Sequence, residues 1–275
     1  MIDAKEKALN DFIGQFPNAM VAFSGGLDSA TVLFATFKLL GTENTLAVTS
    51  ISPSLAADEE KAASKIAAEI GLPAERHLFI RTDEIADPRY AQNAPDRCYY
   101  CKGELYSRLT RLAAERGVAV IFDGTNLSDL GDYRPGRKAA EEHKIVSPFV
   151  SAGFAKEDVR SLARKYRLSF SEKPAAACLA SRIPYGISVT VERLRQIDVA
   201  ESGLRALGLS GFRVRYHNDV ARLELPPQDI ARVFGNGLHQ KIIEVVKGAG
   251  FKYVAVDLEG YRQGSLNEGL SKKEL

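Results

Sequence analysis

The sequence lacks several features that would fix its class at once. It has no tryptophan, two methionines and three cysteines in 275 residues. No apolar run approaches the ~18 residues that a membrane-spanning helix needs. The opening MIDAKEKALNDFIGQF mixes charged with apolar residues where a secretion signal would be continuously apolar. The 37 basic side chains nearly balance 35 acidic ones, for a net charge of +2. We therefore expect a cytoplasmic globular protein that has no membrane segment and lacks the basic excess of a dedicated nucleic-acid binder.

The three cysteines do not suit a disulfide framework. Thiols stay reduced in the cytosol, and an odd number leaves one unpaired. Cys98 and Cys101, in DRCYYCKGELYSR, share one face of a predicted helix, and Cys178 lies far along the chain in AAACLASRIPYG. Three uses remain open: ligands of an iron–sulfur cluster with one open iron, a zinc site completed by histidine or a redox pair, or inert buried thiols. The charged neighbours Arg97 and Lys102 argue against inert thiols.

Apolar runs alternate with helical patterns in the first part of the chain. Strands are predicted at 19–23, 45–51, 75–80 and 118–124, with helix-forming segments between them. This alternation predicts an α/β fold with a doubly wound parallel sheet. After RIPYG the order changes to αββαβ, which predicts a second, smaller α+β domain. We place the larger domain at 1–183 and the smaller one at 187–275.

The stretch AMVAFSGGLDSATVLF has the pattern of a phosphate-binding loop. An apolar strand runs into Ser24, and Gly25 and Gly26 permit a tight turn with close backbone approach. A helix then begins, presenting free N–H groups and the positive end of its dipole. Ser24 and Ser29 add hydroxyl donors, and Asp28 is placed to hold Mg²⁺ against a polyphosphate. The loop lacks the lysine of GxxxxGK[ST], so it is not a Walker A motif.

Further candidates for nucleotide binding lie where the predicted strands end. Ligands of parallel sheets bind at the carboxyl edge. Ser50 closes the second strand, and Gly124 and Asn126 follow the fourth in FDGTNLSD. We expect these three residues to lie beside the phosphate loop.

A set of polar side chains in the later part of the chain could complete a polar pocket that faces the phosphate loop. Arg213 and Arg215, in FRVRYHND, are two apart on a strand and therefore share a face. Paired guanidinium groups suit bidentate binding of phosphate or carboxylate, although a solvated strand face would show the same pattern. The other members of the set are Ser181, Arg182, Glu201 and Glu224.

Several motifs resemble known families. SGGLDS resembles the SGGxDS loop of the N-type ATP pyrophosphatases (PP-loop enzymes), which cleave ATP between its α and β phosphates and adenylate an acceptor. GTNLSDLGDYRPGRKAA, SRIPYG, RVRYHNDVARLELP and YRQGSLNEGL together resemble the LarE family. These sulfur transferases mature the nickel-pincer nucleotide cofactor of lactate racemase. The likeness extends from about residue 19 to 270.

The resemblance implies two successive reactions. A carboxylate of a pyridinium-3,5-biscarboxylate mononucleotide attacks the α-phosphorus of ATP, with Mg²⁺ at Asp28, and sulfur then displaces AMP. Family positions that match the six polar residues above surround a phosphate-bearing substrate site. Arg134 and Lys138, in DYRPGRK, are candidates for closing over ATP. The resemblance also implies a homo-oligomer, since family members form hexamers.

For the cysteines, the resemblance implies a [4Fe–4S] cluster held by Cys98, Cys101 and Cys178, whose open iron carries the sulfur. Other members give up the sulfur of a single cysteine near SRxPYG, and Cys178 lies one residue from that position. The predicted catalytic residues are therefore the three cysteines and Asp28. Two alternatives remain: thiolation of a tRNA base by the same loop, and a nucleotide-binding regulatory module with structural zinc.

Overall fold

The computed structural model describes residues 2–131, 135–173, 177–262 and 265. Its helices are α1 (Ile2–Ile13), α2 (Leu27–Leu40), α3 (Ala57–Ile70), α4 (Pro88–Ala91), α5 (Arg97–Glu115), α6 (Gly136–Glu142), α7 (Pro148–Ser151), α8 (Lys156–Lys165), α9 (Val191–Ala206), α10 (Pro227–Ile230) and α11 (Leu238–Gly248). Its strands are β1 (Ala19–Ala22), β2 (Thr45–Ile51), β3 (His77–Arg81), β4 (Ile121–Phe122), β5 (Arg213–His217), β6 (Val220–Glu224) and β7 (Tyr253–Val256). Within these ranges, no helix combines the length and the apolar composition that crossing a bilayer demands.

The first four strands form a parallel sheet in the order β3-β2-β1-β4, which confirms the predicted fold class. Because β1 lies between β2 and β4, the direction of winding reverses between β1 and β4. Ligands of doubly wound sheets bind at this point, beyond the carboxyl ends of the strands. SGGLDS follows β1 and DGTN follows β4. The topology therefore brings both motifs to the ligand-binding edge.

Strand β4 is shorter than the predicted 118–124. Only Ile121 and Phe122 pair with β1. The Asp123 carboxylate accepts the backbone N–H of Thr125 at 3.1 Å, a local turn that leads the chain out of the strand direction. Beyond β4, Val146 forms one parallel bridge to Phe122.

The parallel sheet is apolar on both faces. Val21 belongs to a core that α1, α2, α3 and α8 cover, whereas Met20 and Val48 belong to a second core, where α5 contributes Tyr106 and Leu109. Successive strand residues point to opposite faces. A continuous apolar run such as AMVAF is therefore what a sheet buried on both sides requires.

The later part of the chain forms a three-stranded sheet in the order β5-β6-β7. β5 and β6 form an antiparallel hairpin, as predicted, and β7 joins β6 in parallel. Asn218 takes a left-handed φ of +55° in the hairpin turn, which asparagine tolerates. Helices α9 and α11 meet at Gly203, where a Cβ would collide with Val245. Glycine is therefore required for this close helix packing.

Contacts divide the chain into two compact units. The first unit consists of Met1–Ser52, Asp58–Glu84 and Cys98–Ala176, and the second of Pro53–Ala57, Ile85–Arg97 and Ala177–Leu275. The predicted boundary at 183–187 follows chain order alone and assigns segments 53–57 and 85–97 to the larger domain. The contacts of these two segments instead group them with the second unit. Long-range bonds hold them there: Ser54 Oγ lies 2.7 Å from Tyr90 Oη, and the Leu179 N–H donates to the Ser54 carbonyl at 2.9 Å.

Candidate functional site

The SGGLDS loop is closed by its own hydroxyl groups. Ser29 Oγ lies 3.0 Å from Ser24 Oγ, accepts the Ser24 N–H at 3.2 Å and donates to the Gly26 carbonyl at 3.2 Å. Gly25 has a left-handed φ of +70°, and a Cβ there would lie 3.0 Å from Cα of Ala63. Both the backbone conformation and the close approach of α3 therefore require glycine at this position.

Helix α2 begins directly after the two glycines. Gly26 is its N-cap residue and provides no side-chain hydrogen bond to the first turn. The first backbone N–H groups of a helix have no partner within the helix, and its dipole is positive at this end. The start of α2 can therefore bind a negatively charged group such as phosphate.

Asp28, in the first turn of α2, contacts side chains from two other parts of the first unit. Lys156 Nζ lies 2.5 Å from Asp28 Oδ2, and Asn126 Nδ2 donates to Asp28 Oδ1 at 3.3 Å. A Cβ on Gly124 would lie only 2.7 Å from the backbone nitrogen of Ser29, so glycine lets the loop after β4 reach α2. The structure thus brings the candidates Asp28, Gly124 and Asn126 together.

Two lysines of this site are missed by sequence reasoning. Lys156 is the first residue of α8, where the helix dipole disfavours a cation, and that placement is the one available signal. Lys173 Nζ donates to the Gly25 carbonyl at 2.9 Å and pairs with Glu59 at 3.2 Å. Each lysine lies more than a hundred residues from the loop along the chain, and neither belongs to a recognisable motif. A local sequence pattern therefore could not indicate either contact.

The donor set around Asp28 fits a polyphosphate that arrives with its own cation. Among the residues that the structure describes, no three His, Cys, Asp or Glu side chains are grouped as a metal site. Mg²⁺ commonly takes one or two carboxylates, with phosphate oxygens and water completing its shell. Asp28 can supply the carboxylate, and Lys156 supplies positive charge for the phosphates.

Ser50, at the carboxyl end of β2, is bonded to the segment after β3. Ser50 Oγ lies 2.6 Å from Thr82 Oγ1, and the Thr82 hydroxyl lies 3.3 Å from Glu84 Oε2. Glu84 is buried, and its second oxygen, Oε1, has no hydrogen-bond partner among the described residues. The ends of β2 and β3 therefore form a polar corner at the ligand-binding edge of the sheet.

His77 supports the strand from which the phosphate loop departs. Its Nε2 lies 2.8 Å from Thr49 Oγ1, and the Thr49 hydroxyl donates to the Phe23 carbonyl at 2.7 Å, directly before Ser24. Burial lowers the pKa of His77 to about 4. The ring is therefore neutral near pH 7, with Nε2–H donating to Thr49.

Of the two residues predicted to close over the nucleotide, Arg134 lies outside the described residues. Lys138 Nζ is 5.5 Å from the centroid of the Tyr99 ring, and Tyr99 Oη donates to Glu142 at 2.8 Å. Helix α6, which carries Lys138 and Glu142, thus packs on the first turn of α5.

Cys98 and Cys101 are the second and fifth residues of α5. Cys98 is exposed and Cys101 half-buried. The pKa of Lys102 is raised, chiefly by the Tyr106 hydroxyl. Cys101, Asp123 and Cys98 raise it further. A cation therefore lies beside both thiols at the start of α5.

Cys178 is exposed and lies directly before the short helical turn 179–182. Its carbonyl accepts the Ser181 N–H at 2.9 Å and Arg182 NH1 at 3.1 Å, so its backbone is held while its thiol faces solvent. Cys98 and Cys101 belong to the first unit and Cys178 to the second. The cluster of three cysteines stays a prediction.

Four of the predicted substrate residues bind one another as buried ion pairs. Arg182 makes two bonds to Glu201, at 2.9 and 3.0 Å, and these side chains are 6% and 3% exposed. Arg215 lies 2.7 Å from Glu224 and donates to the Ser181 carbonyl at 2.7 Å. These pairs fix strands and turns of the second unit, and their role toward a substrate stays a prediction.

Arg213 is less enclosed than Arg215. It donates to the Phe212 carbonyl at 2.8 Å, and its guanidinium carbon lies 5.0 Å from the centroid of the Tyr261 ring. Burial, and then the positive charge of Arg182, lower the pKa of Arg213. Its charge is therefore destabilised by its surroundings, and a nearby anion would stabilise it.

The comparisons with known proteins give relatives over nearly the whole chain, although no protein-family model matches it. An uncharacterized protein of Synechocystis is 40% identical over 99% of this chain and 100% of its own length. The pyridinium-3,5-bisthiocarboxylic acid mononucleotide synthase of Lactiplantibacillus plantarum is 39% identical over 93% of this chain and 91% of its own length. An uncharacterized protein of Methanocaldococcus jannaschii is 30% identical over 93% and 96%. The chain therefore belongs to the LarE family, that of the pyridinium-3,5-bisthiocarboxylic acid mononucleotide synthase.

Proposed function

We propose that this chain is an ATP-dependent sulfur transferase that converts carboxylates of a pyridinium-3,5-biscarboxylate mononucleotide into thiocarboxylates. The observation that carries the proposal is its 39% identity to the Lactiplantibacillus plantarum synthase over 93% of the chain. The SGGLDS loop, with Asn126 and Lys156 at Asp28, supports the nucleotide half of the reaction.

The first step is adenylation of the substrate. A carboxylate oxygen forms a bond to the α-phosphorus of ATP, the bond from that phosphorus to the bridging oxygen breaks, and pyrophosphate leaves with the electron pair. Ser24, Ser29 and the first N–H groups of α2 bind the leaving pyrophosphate, and Lys156 neutralises the charge that develops on it. Asp28 would hold Mg²⁺ that arrives with the nucleotide, and the bound ion would supply further charge neutralisation.

Adenylation prepares the substrate for sulfur transfer. A carboxylate oxygen is a poor leaving group, whereas AMP is a good one. A sulfide attacks the carbonyl carbon of the acyl-adenylate, the bond from this carbon to the AMP oxygen breaks with the electron pair leaving on AMP, and a thiocarboxylate remains after the sulfide loses its proton. The protein has to keep water from the acyl-adenylate until sulfur arrives.

The second unit binds the substrate in this proposal. Arg213 contacts its phosphate, because this guanidinium is half-buried whereas Arg182 and Arg215 are buried in ion pairs. The pairs Arg182–Glu201 and Arg215–Glu224 hold the backbone around it. Binding energy from the phosphate then positions the distant carboxylate for reaction.

We also propose that Cys98, Cys101 and Cys178 hold a [4Fe–4S] cluster in a cytoplasmic homo-oligomer, a hexamer by analogy with the family. Two thiols on one electropositive helical turn support this cofactor. Anaerobic purification, followed by iron, sulfide and zinc analysis, tests it. We expect iron and sulfide together, and each cysteine replaced by alanine should lose both. If only Cys178→Ala is inactive and used protein contains dehydroalanine there, the cysteine itself is the sulfur source.

Turnover with the biscarboxylate mononucleotide tests the whole proposal. With ATP and Mg²⁺, we expect pyrophosphate release that requires this substrate, and a product in which mass spectrometry finds sulfur in place of oxygen. Tight, salt-sensitive binding of total tRNA would instead indicate tRNA thiolation. Stoichiometric zinc, with ATP bound but no pyrophosphate released, would indicate a regulatory module.

A further inference from the structure

Asn93 joins two distant segments of the second unit. It is completely buried and takes a left-handed φ of +58°. The two N–H groups of its Nδ2 are shared among three backbone carbonyls, at 3.2 Å to Ile183, 2.8 Å to Pro184 and 2.8 Å to Ile187. Its Oδ1 accepts a hydrogen bond from the guanidinium of Arg97. One side chain thus satisfies four groups of the fold.

The backbone and Arg97 reinforce the same junction. The Gly186 N–H donates to the Asn93 carbonyl at 3.2 Å, and the Val189 N–H donates to the Ala91 carbonyl at 2.8 Å. The guanidinium carbon of Arg97 lies 5.4 Å from the centroid of the Tyr185 ring. Segments 91–97 and 183–189 are therefore fixed to each other through both main chain and side chains.

Each of the joined segments leads directly into a cysteine-bearing turn. Arg97 is the first residue of α5, and Cys98 follows it. Ile183 ends the short helical turn that begins after Cys178, and its N–H donates to the Ala180 carbonyl at 3.1 Å. The amide of Asn93 therefore bonds to the residue directly before Cys98 and to the chain directly after the Cys178 turn.

We propose that Asn93 is a positioning residue for the sulfur-transfer half of the reaction, through its hold on these two cysteine-bearing turns. The inference rests on the proposed function for the role of the thiols. Only a short carboxamide offers two N–H donors to carbonyls together with an acceptor for a guanidinium, and asparagine also tolerates the left-handed backbone. Asn93 makes none of its hydrogen bonds with the phosphate loop, so adenylation does not require it.

Two substitutions separate the amide from the backbone turn. Asn93→Gly keeps the left-handed conformation and removes the side chain, whereas Asn93→Asp keeps the acceptor for Arg97 and removes the donors to the carbonyls. Asn218→Gly is the matched control, because Asn218 has the same left-handed backbone at φ +55° but is exposed in the β5–β6 turn.

Three measurements on the full-length chain test the proposal. They are the rate of pyrophosphate release in the first turnover, the rate of thiocarboxylate formation, and the rates at which iodoacetamide alkylates each cysteine of the reduced protein. We expect both Asn93 variants to form thiocarboxylate at least tenfold more slowly and to release pyrophosphate within twofold of the unaltered protein. We expect alkylation of Cys98 and Cys178 to change at least threefold, with no change in Asn218→Gly.

A proportional fall in both reaction steps would overturn the proposal, because it would show a general loss of folded protein. Full sulfur transfer by Asn93→Asp would overturn it as well, because the donors would then be dispensable. The alkylation measurement needs no substrate. If the unaltered protein releases no pyrophosphate, the proposed function fails, and unchanged alkylation in Asn93→Gly would separately refute the positioning role.

Discussion

Lys156→Ala is the sharpest test of the proposed nucleotide site. The Lys156 ammonium lies 2.5 Å from Asp28 Oδ2, and the two side chains are 33% and 27% exposed. Removing it has two opposing effects. The leaving pyrophosphate loses a positive charge, whereas Asp28 loses a competitor for Mg²⁺.

The magnitudes decide which effect dominates. A hydrogen bond to a charged group contributes ~1.5–3 kcal/mol. Because about a third of each side chain is exposed, we take ~1.5–2 kcal/mol, which corresponds to a ~12–30-fold loss in kcat/KM. The ion pair that would be broken at Asp28 is partly exposed and stabilises by at most ~1 kcal/mol, so Mg²⁺ gains no more than ~5-fold in affinity. We therefore expect a net loss of adenylation.

The assay is substrate-dependent pyrophosphate release at several Mg²⁺ concentrations. Lys5→Ala is a closely matched control, because Lys5 also pairs with a residue in the first turn of α8, Asp158, at 2.5 Å with 35% and 27% exposure. The control should keep full adenylation. Equal rates in the two variants would refute the reasoning, since Lys156 would then be only a structural ion pair. A rate that returns to normal at high Mg²⁺ would refute it too.

Arg182→Ala removes the two short bonds to the buried Glu201 carboxylate and leaves it the more distant guanidinium of Arg205, at 3.6 Å. We therefore expect urea denaturation to show a loss of about 3 kcal/mol in the free energy of unfolding, the lower end of the cost of breaking a buried ion pair. A loss below about 1 kcal/mol would contradict this. Arg213→Ala should weaken binding of the mononucleotide, measured by calorimetry, by about 1.5–3 kcal/mol. Arg215→Ala should chiefly lower the stability of the fold, because Arg215 bonds to Glu224 and to the Ser181 carbonyl. Equal losses of affinity in the two variants would exclude this division of roles. Burial depresses the pKa of His77 from 6.5 to about 4, so the stability this neutral ring provides is present above pH 6.5 and lost as the pH falls toward 4. His77→Gln should make that decline shallower, and an unchanged pH profile would count against it.

The order of apolar and polar residues along the chain was sufficient to predict the parallel sheet and the tight turn between β1 and α2. Apolar runs separated by helical periods specify buried strands, and their alternation with helices fixes the parallel arrangement. The glycines of SGGLDS and DGTN indicate tight turns where strands end. The meeting of Asp28 and Asn126 then follows from the sheet order, because β1 and β4 are neighbours.

Contacts between distant residues could not be predicted in this way. Lys156 reaches Asp28 across 128 positions, and Asn93 reaches Ile183 across 90. A single lysine or asparagine carries no periodic signal for such a contact. For the same reason, the sequence does not show that segments 53–57 and 85–97 belong to the second unit. It also does not distinguish Arg215, which is enclosed by the fold, from the more open Arg213.

The ion pairs of the second unit bear on the ligand that it can take. Arg182 and Arg215 are each paired with a buried carboxylate, and the charge of the half-buried Arg213 interacts with that of Arg182. Such an arrangement is pre-formed by its ion pairs, so an incoming anion need not reorganise it. In the proposed function, the phosphate of the mononucleotide meets the Arg213 guanidinium in this arrangement, and the neighbouring ion pairs keep the strands around it in place.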